Sequence, residues 1–304
     1  MDAYHVLERV GEGSFGKVFR GRRRFTGQIV ALKFISKSGK SAADLAALRQ
    51  EIAILRRLDH ENIVLLLDFF ETPRDVVVVT EYAHGELLQV LQDDGALGAA
   101  AVRSVARQLV RALHFLHARR IMHRDLKPQN VLVASNGVIK LADFGFARAL
   151  SASTALLTSI KGTPLYMAPE IYQDRRYDPS ADAWGLGVML FELATGTPPF
   201  YAPSLKELRE LIVAAEAIAY PPALPPLLVD FLRRLLVRDP ARRAGWDELL
   251  RHPYVAAESD GIDDGVGAAG EGEGDAGRGE GGVDKRTDAS AHVLANASVG
   301  AGGE

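Results

Sequence analysis

The fold is decided by the stretch His123-Arg124-Asp125-Leu126-Lys127-Pro128-Gln129-Asn130, which places a carboxylate, an amine and an amide close together. An aspartate at Asp125 can accept the proton of a hydroxyl group, while the amide oxygen of Asn130 can hold magnesium. A surface loop could carry the same residues by chance, but the spacing argues against that interpretation. The stretch therefore predicts a site where a hydroxyl group attacks a phosphate bound with magnesium.

A predicted β-hairpin follows this stretch. Residues 131–133 and 139–141 flank Asn136-Gly137, which is a strong signal for a two-residue β-turn. The hairpin would bring Asp143, in Asp143-Phe144-Gly145, close to Asn130, so that both side chains could bind the same magnesium–ATP complex. Taken singly, Asp143 could instead cap a turn, which is a common structural role for aspartate.

A glycine-rich segment lies near the start of the chain, where Gly11-Glu12-Gly13-Ser14-Phe15-Gly16-Lys17-Val18 matches the pattern G-x-G-x-x-G-x-V. Glycines permit a tight turn and let backbone N–H groups approach phosphates. Dinucleotide-binding folds use the same glycines, but they require a helix directly after the last one. Here Val18-Phe19-Arg20 continues as a strand, which favours a β-hairpin flap over phosphates. A merely flexible turn is the structural alternative.

The next predicted strand, residues 28–35, carries Ala31 and Lys33 on one face. A small residue beside an ammonium group could admit an adenine ring and hold its phosphates, although a lone lysine on a half-solvated strand is the commoner case. Glu51 favours the binding interpretation, because it lies beside the apolar stripe of a helix predicted over residues 41–58 and so faces inward. An inward carboxylate needs a cationic partner, and Lys33 is the obvious one.

Three further features follow toward the C-terminus. The segment that begins at Asp143 is rich in serine and threonine and ends in Ala168-Pro169-Glu170. Asp182 begins a predicted helix that is apolar on nearly all sides, where it either caps the helix or accepts backbone hydrogen bonds from the stretch quoted first. Arg243 is the candidate partner of Glu170 in a buried ion pair.

The chain divides into three predicted parts of an α+β protein. Residues 1–83 form a small β-rich lobe with a hinge, residues 84–256 form a larger helical lobe, and residues 257–304 form a tail of mostly Gly, Ala, Asp and Glu. The tail cannot bury enough apolar surface to offset the entropy of ordering, so it is predicted to be disordered. It carries a net charge of −8 against −3 for the whole chain, which leaves the two lobes mildly basic at +5.

The composition excludes several classes of protein. The chain has no cysteine, which rules out a disulfide scaffold and a thiolate metal site. The overall charge gives no signal for nucleic acid, no apolar run is long enough to cross a membrane, and the first residues lack the pattern of a signal peptide. We therefore expect a cytoplasmic protein with no nucleic-acid or membrane partner, and the sequence leaves its oligomeric state open.

Taken in this order, the motifs resemble the eukaryotic protein kinase family from Tyr4 to about Val255. Lys127 and Thr163 resemble the residues of its serine/threonine class. The resemblance implies a two-lobed protein kinase fold with a five-stranded N-lobe, a helical C-lobe and ATP between them. Within that class the chain looks most like the Fused kinases of Hedgehog and ciliary systems, on residues 4–8, 76–80, 143–149, 157–167 and 196–202.

The resemblance implies ATP and Mg²⁺ as cofactors and gives the motif residues their roles. Asp125 would deprotonate the substrate hydroxyl, and Lys127 would stabilise the γ-phosphate. Lys33 would hold the α- and β-phosphates and be fixed by Glu51. The magnesium ligands would be Asn130 and Asp143. The other expected ATP contacts are the flap residues Val10, Gly11, Glu12, Gly13, Ser14, Phe15, Gly16, Lys17 and Val18, the adenine neighbours Ala31 and Leu132, the gatekeeper Thr80, the hinge residues Glu81 and Ala83, and Glu86 at the ribose.

The same resemblance implies how the protein is regulated. Arg124 could bind a phosphate on the serine- and threonine-rich segment, for which Thr154, Thr158 and Ser159 are the candidates. The expected partners are protein substrates and an upstream activating kinase, and the family also suggests a ciliary or cytoskeletal location.

Two other functions compete with catalysis. A pseudokinase would keep the fold without turnover, and a nucleotide-dependent scaffold would act through the tail. The side chains that transfer requires are all present, which favours the active enzyme: they are Lys33, Glu51, Asp125, Asn130 and Asp143.

Overall fold

The computed structural model describes residues 3–13, 16–142, 164–173, 179–214 and 217–256 of the 304-residue chain. An antiparallel five-stranded sheet forms first, in the order β1-β2-β3-β5-β4. Its strands are β1 (Tyr4–Gly13), β2 (Gly16–Arg23), β3 (Ile29–Ser36), β4 (Leu66–Glu71) and β5 (Asp75–Glu81). The predicted five-stranded N-terminal region is confirmed. The disorder predicted for residues 257–304 lies outside the described residues.

The two faces of this sheet have different neighbours. Directly opposite residues share a face, and the register places Lys33 opposite both Val18 and Val78, and Ala31 opposite Thr80. These five side chains therefore lie on one face, as predicted for Ala31 and Lys33. The other face carries a separate apolar cluster of Tyr4, Val30, Leu32, Val77 and Val79.

Helix α1 (Ala42–Leu55) packs on the face that carries Lys33. Ser41 begins it with a capping box, in which the Ser41 hydroxyl accepts from the N–H of Asp44 and the Asp44 carboxylate accepts from the N–H of Ser41. The predicted helix is confirmed, although it ends earlier than expected. Its buried residues share one core with the sheet, namely Leu48, Ile52 and Leu55 with Ile35, Val76 and Val78.

A mostly helical region follows the sheet. Its helices are α2 (Leu87–Asp94), α3 (Ala99–Ala118), α4 (Pro169–Tyr172), α5 (Ala181–Thr195), α6 (Leu205–Val213), α7 (Pro226–Leu235), α8 (Trp246–Arg251) and α9 (Pro253–Ala256). Short 3-10 turns lie at Pro128–Asn130, Pro164–Tyr166 and Pro240–Arg242. Within the described ranges, no helix combines the length and the apolar character that crossing a membrane requires.

Helices α3 and α5 form the centre of this region. The apolar residues of α3 recur at helical spacing and are buried, whereas α5 is buried along nearly its whole surface, as predicted. Gly187 permits this burial, because a β-carbon there would lie 2.8–2.9 Å from the side chains of Leu235 and Leu236. The end of α7 can therefore approach the α5 backbone closely.

A small second sheet joins the linker to the stretch around Asp125. It consists of β6 (Gly85–Glu86), β7 (Val131–Val133) and β8 (Ile139–Leu141), in that order. The predicted two-residue turn between β7 and β8 is wrong. Such a turn needs a positive φ at both Asn136 and Gly137, but of these two only Gly137 has one, at 77°. The strands are joined instead by residues 134–138, where Gly137 N–H donates to the Ala134 carbonyl at 2.9 Å.

A buried ion pair ties three helices of this region together. Arg243 donates from Nη1 and Nη2 to the two carboxylate oxygens of Glu170 at 2.9 and 3.0 Å. It also donates to the backbone carbonyls of Ser180 and Val237, at the start of α5 and just after α7. The side chains of Arg243 and Glu170 are 0% and 2% exposed, which confirms the predicted pair.

Loss of the Arg243 guanidinium should be costly, because it leaves the Glu170 carboxylate buried without its cation. We expect Arg243→Ala to lower the free energy of unfolding by about 3–5 kcal/mol. Arg234→Ala is the matched control, since it removes a pair with Glu248 whose side chains are 54% and 51% exposed. It should cost at most about 1 kcal/mol. Urea unfolding followed by circular dichroism measures both variants, and equal losses would contradict this expectation.

Candidate active site

Asp125 lies at the centre of the site. Lys127 donates from Nζ to Asp125 Oδ2 at 2.7 Å, and Asn130 donates from Nδ2 to the same oxygen at 2.9 Å. Asn130 Nδ2 also donates to the Asp125 carbonyl at 2.6 Å. No residue within the described ranges donates to Asp125 Oδ1. That oxygen can therefore accept the proton of an incoming hydroxyl group.

Asn130 fits the chemistry of a magnesium ligand. Its side-chain nitrogen is directed to Asp125, so Oδ1 points away and offers the kind of oxygen that magnesium prefers. The N–H of Ala142 donates to the Asn130 carbonyl at 2.8 Å, which brings the residue before Asp143 against Asn130. Asp143 itself lies outside the described residues, so its contribution stays a prediction.

The buried carboxylate of Asp182, in the first turn of α5, holds this segment. Its two oxygens accept hydrogen bonds from the N–H groups of His123 and Arg124, both at 2.8 Å. His117 Nε2 on α3 lies 2.8 Å from Asp182 Oδ2. Of the two roles predicted for Asp182, anchoring the stretch around Asp125 is confirmed. Arg124 has a φ of 69°, a left-handed conformation that costs about 1–2 kcal/mol, and the bond to Asp182 helps to maintain it.

The ionisation of Asp182 follows from its surroundings. Burial raises the pKa of its carboxyl group, but the hydrogen bond with His117, the nearby His123 and His117 rings and the N–H of Arg124 outweigh burial. The pKa of Asp182 therefore lies below its ordinary range. The carboxylate is charged at neutral pH, and its hydrogen bonds contribute to stability there.

The five-stranded sheet provides the side chains predicted to bind the phosphates and the adenine. Lys33 is buried on β3, and Val18, Ala31 and Thr80 are half-buried on the same face. Glu51 is half-buried on α1. The sequence prediction that Glu51 pairs with Lys33 stays a prediction.

The second sheet and the linker supply the remaining predicted contacts. Leu132 on β7 lies directly opposite Glu86 on β6, which makes the predicted adenine and ribose neighbours adjacent. The Glu81 carboxylate accepts from the Leu65 N–H at 2.8 Å and pairs with Lys140 Nζ at 2.9 Å. The adenine contacts of Glu81 and Ala83 would use backbone groups, and they stay predictions.

The glycines of the flap differ in whether the surrounding structure leaves room for a side chain. A β-carbon at Gly16, where φ is 154°, would lie 1.9 Å from the Phe34 carbonyl oxygen, so only glycine fits against β3. Gly11 has open space around it and therefore has no such packing requirement. Val10, Glu12 and Lys17 are exposed, and Gly13 pairs with Gly16 at the end of the hairpin. The other predicted site residues lie outside the described residues: Ser14, Phe15, Asp143, Thr154, Thr158 and Ser159.

The sequence did not indicate a charged cluster that anchors α1. Arg49 donates from Nε and Nη2 to the Glu71 carboxylate at 2.6 and 3.0 Å, and Lys37 Nζ lies 2.6 Å from Glu71 Oε2. The Arg49 and Lys37 side chains lower the pKa of Glu71 to about 2. This clamp joins the helix that carries Glu51 to the end of β4. No sequence signal marks it, because its three members are separated along the chain and resemble ordinary surface charges.

Comparisons with known proteins agree with this geometry. A family model described as Protein kinase domain matches residues 4–255. Serine/threonine-protein kinase 36 of Pongo abelii is 56% identical over 256 residues, which cover 84% of this chain and 19% of that protein. Serine/threonine-protein kinase TIO of Arabidopsis thaliana is 51% identical over 263 residues, covering 86% of this chain and 20% of that protein.

Serine/threonine-protein kinase fused of Drosophila melanogaster is 45% identical over 255 residues, which cover 84% of this chain and 32% of that protein. The chain thus spans about a fifth to a third of the length of these relatives. The resemblance inferred from the motifs is confirmed by these matches.

Replacing Asp182 by asparagine should destabilise the fold, because an NH₂ group must then face a backbone N–H or His117. We expect Asp182→Asn to lower the free energy of unfolding at neutral pH by on the order of 1–3 kcal/mol. The native pKa of Asp182 lies below its ordinary value of about 4. The drop in the free energy of unfolding caused by Asp182→Asn should therefore have its full size above about pH 4. It should shrink as the pH falls through the native pKa. Urea unfolding at a series of pH values tests this, and a loss independent of pH would refute it.

Proposed function

Because the chain belongs to the protein kinase family, we propose that it transfers the γ-phosphoryl group of ATP to serine and threonine hydroxyl groups of proteins. The observation that carries the proposal is the convergence of Lys127 and Asn130 on one oxygen of Asp125, at 2.7 and 2.9 Å. A carboxylate for the hydroxyl, an amine for phosphate charge and an amide oxygen for magnesium are the parts that phosphoryl transfer requires.

Asp125 accepts the proton of the substrate hydroxyl. Lys127 and Asn130 occupy its Oδ2, so the hydroxyl donates to Oδ1 and its oxygen lone pair is oriented toward the γ-phosphorus. This orientation contributes more than proton abstraction alone, because a loose phosphoryl transition state depends mainly on positioning. Asp125 then holds the proton until the product leaves.

Lys127 has two roles in this proposal. It fixes the Asp125 carboxylate, and it neutralises charge on the phosphoryl group during transfer. Magnesium bound by Asn130 Oδ1 and Asp143 would supply further neutralisation of the β- and γ-phosphates. Asn130 is held by Asp125 and by the N–H of Ala142, so its ligand oxygen is positioned in advance.

The N-terminal sheet binds the nucleotide. Lys33 holds the α- and β-phosphates with Glu51 as its partner, and the hairpin from Val10 to Val18 covers them. Val18, Ala31 and Leu132 enclose the adenine. The support is the sheet register, which puts Val18, Ala31 and Thr80 on the Lys33 face, and the pairing of Leu132 with Glu86.

The rival interpretation is an inactive kinase fold. Residues 1–83 and 84–256 serve as the N-lobe and C-lobe in either case. The presence of Lys33, Glu51, Asp125, Asn130 and Asp143 supports the active enzyme.

The finer proposal is a role in Hedgehog-type signalling or cilium assembly, at a cytoplasmic or ciliary location. It is supported by the family resemblance alone. Imaging the tagged chain in ciliated cells, with cilium length scored after its loss, would test it. Unchanged cilium length and unchanged Hedgehog output would contradict this finer proposal, while the kinase proposal would stand.

Asp125→Asn should abolish most of the transfer, because an amide cannot accept the hydroxyl proton. We expect kcat to fall by at least about 100-fold, with little change in KM for ATP, because Asp125 does not contact the nucleotide in this proposal. Asp247→Asn is the matched control, since it alters an exposed carboxylate that bonds His114 on the surface. Phosphate transfer to a generic protein substrate with Mg²⁺, read by mass spectrometry, measures both.

Two outcomes would count against catalysis by Asp125. Asp125→Asn could retain the rate of the unchanged chain, or the unchanged chain could fail to transfer phosphate even after treatment with an upstream kinase. The second result would favour the inactive fold.

Phosphorylation of Thr158 or Ser159 should raise activity, because a phosphate on that segment can bind the Arg124 guanidinium beside Asp125. We expect phosphatase treatment to reduce kcat of the unchanged chain severalfold and to leave the Thr158→Ala/Ser159→Ala variant unchanged. Ser38→Ala, at an exposed serine far along the chain from this segment, serves as the control. An equal response of all three proteins to phosphatase would rule the hypothesis out.

A further inference from the structure

The surface of α3 carries a line of arginines that the proposed function does not use. Arg103, Arg107, Arg111 and Arg119 follow one another in steps of four residues, with Phe115 in the remaining place. Residues four apart on a helix are neighbours, so these five side chains form one continuous ridge, which turns around the helix by about 40° at each step. We refer to them as the arginine ridge. At 1.5 Å per residue, the ridge rises about 24 Å along the helix axis.

One end of the ridge already binds the last described residues of the chain. Arg103 donates from Nε to the Tyr254 carbonyl at 2.8 Å and from Nη2 to the Pro253 carbonyl at 3.3 Å. Arg107 donates from Nε to the Val255 carbonyl at 3.2 Å. The chain therefore leaves α9 on the ridge itself, level with Arg107.

The other end of the ridge presents unneutralised positive charge. Arg111 is exposed and makes no hydrogen bond or ion pair with any residue in the described part of the chain. Arg119 lies 3.6 Å above the centroid of the Phe115 ring and is also exposed. The guanidinium groups of Arg111 and Arg119 thus form an anion-attracting surface just beyond the point where the chain departs.

The positive charges of Arg111 and Arg119 act on the neighbouring imidazole ring of His60. Its ring packs against Phe115 with centroids 4.9 Å apart. Burial lowers the pKa of His60, Glu61 opposes this, and the nearby cations of Arg111, Lys140 and Arg119 lower the pKa further. The guanidinium groups of Arg111 and Arg119 are therefore close enough to His60 to lower the pKa of its ring.

Four of the eight residues that follow α9 are acidic. Glu258, Asp260, Asp263 and Asp264 come first, and no basic residue occurs before Arg278. A chain from Val255 to Asp264 can span about 30 Å when extended, while Arg107 and Arg119 are separated by about 18 Å along the helix axis and by about 120° around it. The carboxylates can therefore reach Arg111 and Arg119 while Val255 stays bonded to Arg107.

We propose that residues 257–264 bind along the arginine ridge of the same chain, with their carboxylates paired to Arg111 and Arg119. Each exposed ion pair is weak by itself. The short connection to Val255 compensates, because it gives the acidic segment an effective concentration on the order of millimolar at the ridge. A separate acidic protein would meet the same guanidinium groups without that advantage.

The absence of cysteine makes the proposal directly measurable. Ala118→Cys places a thiol on the exposed last turn of α3, beside Arg119, and Gly265→Cys places another just after Asp264. Oxidised glutathione then links the two thiols whenever they meet. We expect the intramolecular disulfide to form at least tenfold faster in about 50 mM salt than in about 1 M salt, where ion pairs are screened.

Charge variants identify the surface involved. Adding Arg111→Gln and Arg119→Gln to the two-cysteine chain should slow cyclisation at low salt at least tenfold. Arg22→Gln and Arg23→Gln remove the same charge from exposed positions on β2 and should leave the cyclisation rate unchanged.

Variants of the tail identify the segment that binds. Neutralising the four acids Glu258, Asp260, Asp263 and Asp264 should slow cyclisation, whereas neutralising Glu271, Glu273, Asp275 and Glu280 should not. Melting followed by circular dichroism confirms that each variant is folded.

Three results would overturn the proposal. Equal cyclisation rates in all variants and at both salt concentrations would show that the acidic segment does not bind the ridge. Disulfide-linked dimers in place of cyclised monomers would assign the ridge to the tail of a second copy. Charge-independent cyclisation, together with binding of polyglutamate that is lost in Arg111→Gln/Arg119→Gln, would assign it to a separate acidic partner.

Discussion

The site depends on one buried carboxylate, that of Asp182. Its two oxygens accept hydrogen bonds from two consecutive N–H groups, which fixes the backbone of His123 and Arg124 and holds Arg124 in a left-handed conformation. Because Asp125 comes next, its backbone position follows from that constraint, and Lys127 and Asn130 then hold its carboxylate. Asp182 belongs to α5, which is buried along nearly its whole surface, so the site inherits the rigidity of the core.

The two sides of the site are held with different strength. Asp182 and the pair of Arg243 with Glu170 are buried, where breaking a charged contact leaves a costly unpaired group. Helix α1 is anchored by an apolar stripe and by the clamp of Arg49, Lys37 and Glu71, which lies near the surface. Exposed pairs of that kind contribute little. The position of α1, and of Glu51 with it, therefore depends more on its buried apolar stripe than on this clamp.

Local spacing made much of this arrangement predictable. Periodic apolar residues indicated α1, α3 and α5, alternation indicated that Ala31 and Lys33 share a face, and the spacing of Asp125 and Asn130 indicated their meeting. Features that depend on segments distant in the chain were harder to predict from the sequence. The loop of residues 134–138 is set by how β7 and β8 pair, which an Asn-Gly signal does not encode. The choice between two roles for Asp182 required knowing where the segment around Asp125 lies.

Arginines of the same chain show why composition predicts their roles poorly. Arg243 is fully buried and joins helices, Arg103 covers apolar surface while binding carbonyl groups, and Arg111 is left to solvent. The net charge of −3 conceals this division, because it adds the acidic residues after Ala256 to the basic residues of the folded part. Only the packing of α9 on α3 reveals that the acidic segment begins beside a line of arginines. The electrostatic partner of a surface is thus decided by topology as much as by the number of charges.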